Sequence, residues 1–399
     1  MSDNIINLSP LSQAIDEVVL YGAKEARWYQ IAARNETVHA FIYEGAQRIC
    51  VCLPTGAGKT LTSGIIFNSP ALRHWLGLSN EVDDNGGFIE KLRILFVSHK
   101  HRLLTQAEET FAVSEGVELI CQSVFSDIPK HVVEQGWHLT VIDEFHHEGA
   151  SSYQYKLEQL TKSMKSKVGF IPLIGLTATW KRADGLLVKF DRIVQPISRE
   201  QAVQEGFLAP TDLFSFVDPT RGNKVKFLGD IFTDFHDEFG RGLVFVKTKE
   251  EVEQIANHLN KLGRRTAAVT NMSNKSLNTV LDQYSVGEWD WVVNCNKISE
   301  GVDVKNCECV VIGRQVGSYP MLNQMIGRAS RSDSACRVVE LINPFNDRNL
   351  DTTVVVGTPK SHKLIYKRGG AWKERTFDYC SVDVEEGDSN SLHIAVGDF

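Results

Sequence analysis

The chain has 399 residues, 42% of them apolar and 23% charged, and carries a net charge of −7. That length exceeds what one hydrophobic core usually supports, so two domains of ordinary size are expected. The acidic balance excludes nucleic-acid binding through overall charge and leaves a local basic cluster as the electrostatic route.

No apolar run approaches the roughly 20 residues that cross a bilayer. The start, Met1-Ser2-Asp3-Asn4, lacks the basic-then-apolar order of a signal peptide, so no membrane association and a cytoplasmic location are expected. The eight cysteines form no Cys-x-x-Cys pair and have no histidine partner at zinc spacing. Cys50/Cys52 and Cys307/Cys309, each spaced by two inside an apolar run, are expected on one face of a strand as reduced core thiols.

Short apolar strands alternate with helical stretches from about residue 47 to residue 345, the pattern of parallel sheets covered by helices. The first series of strands is Arg48–Leu53, Arg93–Ser98, Val117–Cys121, Leu139–Ile142 and Leu173–Leu176. The second is Gly242–Val246, Thr266–Val269, Trp291–Asn294, Glu308–Ile312 and Arg337–Leu341. Each series suffices for one doubly wound α/β domain. Gly206 and Pro210 interrupt the alternation, so the domains are expected at 1–206 and 207–352. Residues 78–90 read as a polar surface loop, and 353–399 as a C-terminal extension with a hairpin around Gly369-Gly370 and a polar acidic tail.

Two motifs carry chemistry. Leu53-Pro54-Thr55-Gly56-Ala57-Gly58-Lys59-Thr60 follows an apolar strand and precedes a helix, the context a phosphate-binding loop requires. Its glycines let backbone N–H groups close on phosphates, Lys59 reaches the outer phosphate oxygens, and the Thr60 hydroxyl can ligate Mg²⁺. The strand Thr140-Val141-Ile142 then runs into Asp143-Glu144-Phe145-His146-His147. Asp143 is placed to hold the metal and Glu144 to orient or deprotonate the attacking water. The plainer alternative makes Asp143-Glu144 a helix cap and the histidines surface residues.

Taken together, Pro54 to Thr60, Asp143 to Leu157 and Gly175-Leu176-Thr177-Ala178-Thr179 resemble the DExH-box helicases of superfamily 2, in the form shared by restriction-enzyme translocating subunits and DNA-repair or phage recombination helicases. Trp291 to Ser318 and Gln324 to Arg331 resemble the fifth and sixth motifs of that family. The resemblance implies two tandem RecA-like domains that use ATP and Mg²⁺, in a bacterial or phage-infected cytoplasm. It implies that Arg27 and Gln30 read adenine, that Thr55 to Thr60 cradle the phosphates, and that His146 completes the acidic box. It puts Gly301 and Asp303 near the ribose, Gln324 near the γ-phosphate, and Arg328 and Arg331, three apart in a helix, in the role of arginine fingers. Thr177 and Thr179 would couple nucleotide state to movement. Nucleic acid would meet Ser98, His99, Lys100, Arg102, Gln122, Ser123, Lys247 and Thr248, each of which taken alone also reads as a loop residue. Trp180, Lys305 and Gln315-Val316 depart from the family pattern and bear on loop geometry.

The expected activity is nucleic-acid-stimulated ATP hydrolysis driving a helicase or translocase, with DNA favoured. An RNA-directed helicase, or an ATP-gated clamp that does not step, stays open beside it. A protein partner would supply any nuclease or targeting function.

Overall fold

The computed structural model describes residues 20–21, 24–84, 88–98, 104, 107–108, 111, 116–145, 161, 166–178, 190–218, 224–295, 298, 304–330, 336–344 and 350–377. The chain divides into two compact units, residues 1–198 and 199–399.

In the first unit a short antiparallel pair, β1 (Leu20–Tyr21) and β2 (Lys24–Glu25), precedes α1 (Trp28–Ile42). Then come β3 (Arg48–Cys52), α2 (Lys59–Phe67), α3 (Pro70–Leu76), β4 (Leu92–Ser98), β5 (Val117–Ser123), α4 (Lys130–Gln135), β6 (Leu139–Asp143), β7 (Leu173–Thr177) and β8 (Arg192–Val194). Six of these strands form one sheet in the order β5-β4-β6-β7-β3-β8, parallel at every pairing. Its inner strands are near-continuous apolar runs such as Ile49-Cys50-Val51-Cys52, because a parallel sheet buries both faces. The loop after α3 is anchored by Arg73, which has no exposed surface. Its guanidinium donates to the carbonyls of Gly116 (3.0 Å) and Glu90 and lies 3.9 Å from the centre of the Phe88 ring.

The second unit opens with α5 (Arg199–Gln204), tied to it by Arg199, which donates to the Ser330 hydroxyl at 3.0 Å and the Val356 carbonyl at 3.3 Å. It continues with β9 (Thr211–Val217), α6 (Lys224–Phe239), β10 (Gly242–Phe245), α7 (Lys249–Lys261), β11 (Thr266–Val269), α8 (Asn274–Ser285), β12 (Trp291–Asn294), β13 (Cys309–Ile312), α9 (Tyr319–Ile326), β14 (Cys336–Ile342), α10 (Thr353–Val356), β15 (Ser361–Arg368) and β16 (Ala371–Phe377). The sheet order is β11-β12-β10-β13-β14-β9-β15-β16, parallel except for the last pair.

Alternation along these strands builds two core layers. Leu243, Phe245, Val292 and Val310 pack with Leu281 of α8 and Met325 of α9, while Val244, Val293, Cys309 and Val311 pack with Ile231 of α6 and Ile255 of α7. Helices on both faces make this a doubly wound α/β unit. The hairpin at Gly369-Gly370 is present, and its first strand hydrogen-bonds to β9, so these residues extend the second sheet. One expectation is corrected. Cys307 and Cys309 do not share a strand face but lie in different layers, because β13 begins only at Cys309. Burial pushes the Cys307 thiol up to about 12 and the Cys336 thiol up to about 11, as fits inert core thiols.

Candidate functional site

β6, β7 and β3 are neighbours in one parallel sheet, so their carboxyl ends share one edge, where open α/β sheets bind ligands. Leu53 leaves that edge hydrogen-bonded to the carbonyl of Thr177 at 3.1 Å, and the Ala57 N–H closes a turn on Pro54 O at 3.0 Å. Gly56 and Gly58 take φ of 92° and 84°, the left-handed region that glycine enters without penalty. Gly58 is the cap residue of α2, so the unpaired N–H groups of the helix's first turn face the loop and form an anion cradle. A Cβ on Gly58 would stand 2.8 Å from Nε2 of Gln30, so the cradle closes only around glycine.

The charges converge there. Lys59 Nζ, on the first turn of α2, lies 3.8 Å from Oε1 of Glu144, and both side chains are about 15% exposed. Glu144 follows β6 with φ of 49°, unusual for a residue with a side chain, and its N–H donates to Oδ1 of Asp143 at 2.9 Å. Extended backbone sends consecutive side chains to opposite faces, whereas this left-handed turn brings Glu144 back towards Lys59. Backbone strain of this kind costs on the order of 1–3 kcal/mol and persists where surrounding contacts hold it. Here the Phe145 N–H is held by the carbonyl of Leu176 on β7 at 3.1 Å. Thr55 and Ala57 are buried, Thr60 is half-buried, and Thr177 is buried at the end of β7.

Helix α1 braces the loop from behind. Gln30 is 2% exposed; its Oε1 accepts the Arg27 N–H at 2.9 Å and its Nε2 donates to Ala57 O at 3.3 Å. The Tyr29 hydroxyl donates to the same carbonyl at 2.8 Å and accepts from the Arg27 guanidinium at 3.2 Å. Burial pushes the Tyr29 phenol above its ordinary value. Tyr29 is a bracing residue that the sequence alone does not single out. The signal was an aromatic beside Gln30, indistinguishable there from a core aromatic.

The residues expected to meet nucleic acid sit as follows. Ser98 is fully buried at the end of β4. Gln122 is 7% exposed, and its Nε2 donates to the carbonyls of Ser123 and Ser126 at 3.2 Å each, bracing the loop after β5. Ser123 accepts the Phe125 N–H at 3.3 Å. All three residues are thus buried at the carboxyl ends of their strands. Lys247 and Thr248 are exposed after β10, and the Thr248 hydroxyl caps α7 by accepting the Glu251 N–H at 3.2 Å. Gln324 is 4% exposed on α9. That helix ends at Ile326, so Arg328 sits in the following turn, half-buried, with its N–H on Met325 O at 3.2 Å, and not on a continued helix as expected. His99, Lys100, Arg102, His146, Thr179, Gly301, Asp303 and Arg331 lie outside the described residues.

Two stretches of the chain match described families. Residues 23–124 match the family described as type III restriction enzyme, res subunit, and residues 223–333 match the helicase conserved C-terminal domain. IRC3 of Saccharomyces cerevisiae, named as an ATP-dependent helicase, is 24% identical over 81% of this chain and 52% of its own length. The mitochondrial irc3 of Schizosaccharomyces pombe, named likewise, is 28% identical over 77% of this chain and 55% of its own. The EcoAI endonuclease subunit of an Escherichia coli type I restriction enzyme is 23% identical over 78% of this chain and 44% of its own. The chain therefore spans about half the length of the curated relatives it matches. Among solved structures, the type ISP restriction-modification enzyme LlaBIII bound to DNA superposes with a TM-score of 0.59 at 16% identity, over 85% of this chain and 30% of that one. Mss116p bound to ssRNA and AMP-PNP gives 0.58 at 12% identity, over 88% and 82%. At such identities the likeness shows the fold, two RecA-like α/β units in tandem.

Proposed function

Because the chain belongs to the superfamily 2 helicases of the restriction-subunit type, we propose that it is a nucleic-acid-stimulated ATPase acting as a helicase or translocase, with DNA as its track. The observation that carries this reading is the Lys59–Glu144 pair, 3.8 Å apart beneath the glycine-capped start of α2. Phosphoryl transfer to water asks the protein for positioning and charge, and this site carries both. Lys59 and the α2 N–H groups hold the β- and γ-phosphates, while Glu144 orients the water. Gln30 and Arg27, beside the loop, read the adenine edge. Asp143 and Thr60 fit a magnesium ion bound with the nucleotide, since Mg²⁺ takes one or two protein oxygens and completes its shell from phosphates and water. When bound, the ion polarises the phosphoryl oxygens.

DNA is favoured by the likeness to a type I restriction subunit and to an enzyme bound to DNA. The same likeness supports a protein partner carrying nuclease or targeting activity. An RNA-directed reading has one observation in its favour, the similar fold of Mss116p bound to ssRNA. The deciding measurement is the ATPase rate with single-stranded, duplex, forked and four-way DNA and with RNA. Stimulation by one or more DNA forms and not by RNA is expected. Stimulation by RNA alone would reverse the choice of track, and hydrolysis indifferent to every nucleic acid would reduce the chain to an ATP-gated clamp.

A further inference from the structure

The hairpin of β15 and β16 has two faces of different chemistry, which the register separates. Lys363, Ile365 and Lys367 of β15 share a face with Trp372 and Glu374 of β16. That face is covered by α6. Lys367 Nζ lies 2.7 Å from Asp230, the Trp372 indole donates to Asp234 at 2.6 Å, and Lys363 Nζ lies 3.8 Å from Glu238 and 3.3 Å from Glu374. Asp230 and Glu238 of α6 neutralise the two lysines, and Asp234 between them accepts from the indole.

The opposite face carries Tyr366 and Arg368 of β15 together with Lys373, Arg375 and Phe377 of β16. Arg368, Lys373 and Arg375 are exposed, and among the described residues none makes an ion pair. No acid of either strand shares the face. Two half-buried aromatics interleave the cations, with the Arg375 guanidinium 5.6 Å from the centre of the Phe377 ring. In a chain of net charge −7, three exposed cations on one sheet face with no ion pair among the described residues are a local reversal of sign.

Position supports a ligand. β15 is parallel to β9, so Arg368 and the Gly369-Gly370 turn stand at the carboxyl edge of the second sheet, the edge from which Lys247 and Thr248 leave β10. Strand spacing puts β16, five strands from β10, roughly 24 Å along that edge. We infer that the Arg368–Lys373–Arg375 face of the hairpin binds the phosphate backbone of the nucleic acid, extending the track along the second unit. This rests on the reading of the chain as a nucleic-acid-dependent ATPase and names a surface that motor uses. A basic edge strand can also serve only to block pairing with another sheet. Edge protection would leave nucleic-acid affinity and its salt dependence untouched.

The test compares the full chain with a triple variant, Arg368→Gln, Lys373→Gln and Arg375→Gln, binding a fluorescent single-stranded oligonucleotide from 50 to 200 mM salt. Loss of three phosphate contacts should lower the slope of log affinity against log salt by about 2 units, at about 0.7 per contact. Basal ATPase activity should hold, and the charge-preserving Arg368→Lys, Arg375→Lys variant should keep the parental slope. A triple variant with the parental slope overturns the inference while leaving the motor reading intact. Failure of the parent to bind any nucleic acid overturns both. Asp383, Glu385, Glu386 and Asp388 of the acidic tail are the competing occupant. If the hairpin cations affect the slope only when those four are changed to their amides, the face belongs to the tail, and the inference falls.

Discussion

In the hydrolysis proposed above, a lysine and a glutamate 3.8 Å apart would do separable work, and the separation is measurable. Lys59→Ala removes a charge that both ATP and the transition state need, so nucleotide binding should weaken. Glu144→Gln keeps the shape and removes only the carboxylate that orients water, so ATP should stay bound while turnover falls by about 10² or more. Equal loss of ATP affinity in the two variants, by equilibrium titration, would contradict these roles. Tyr29 acts one layer back. Its hydroxyl and Gln30 share the Ala57 carbonyl, so Tyr29→Phe should cost about 1 kcal/mol of stability. The same variant should raise the KM for ATP with little change in kcat, because the loop is loosened and the reacting groups are not. A KM equal to the parental value would make Tyr29 a core residue only.

At the level of the element, the strands legible in the sequence were those with an unbroken apolar run, such as Leu173-Ile174-Gly175-Leu176. The three-residue β8 is too short to show a period. Residues 353–377 showed their turn but not their partner, because pairing with β9 spans roughly 150 residues of sequence and no local pattern encodes it. The phosphate loop and acidic box were legible because their chemistry is local, whereas the burial of Ser98 and Gln122 depends on tertiary packing. Gly58 tests how far local geometry governs the loop. Alanine there meets both φ of 84° and the Gln30 side chain, so Gly58→Ala should weaken ATP binding at least tenfold, and a parental affinity would show that the cradle is not closed around it. A second element, where β15 meets β9, buries His362 against the Ser215 hydroxyl, 2.9 Å away, which in turn donates to Glu340 at 2.6 Å. Burial pulls the His362 imidazole down to about 4 and pushes the Glu340 carboxyl up. The depressed histidine costs stability as pH falls from its unfolded value near 6.5 towards 4, while the raised carboxyl acts in the opposite sense. Comparison with His362→Gln isolates the first effect: relative to this variant, the parent should lose about 1–2 kcal/mol between pH 7 and pH 5 in denaturant unfolding. A difference independent of pH would mean that His362 is not held neutral by the sheet.

For the whole molecule, the question is whether hydrolysis on the first unit answers to residues of the second, since each unit has its own sheet and core. We propose that Arg328 and Arg331 give that answer. A guanidinium neutralises the charge that spreads over phosphoryl oxygens in the transition state, and arginine fingers are worth roughly 10³ to 10⁵ in turnover, whereas a surface arginine contributes almost nothing. The two cases differ by orders of magnitude, so modest assay error does not blur them. Arg331→Ala should leave ATP affinity and nucleic-acid affinity near parental and remove nucleic-acid-stimulated hydrolysis. Arg328→Ala should do the same with some added loss of ATP affinity. Lysine at either position should rescue poorly, because an ammonium restores charge without the planar fork that meets two oxygens at once. If either alanine variant hydrolyses ATP near the parental stimulated rate, that arginine is not a finger. Should both do so, the dependence on nucleic acid must arise within the first unit, whose phosphate loop is already tied through Leu53 to Thr177.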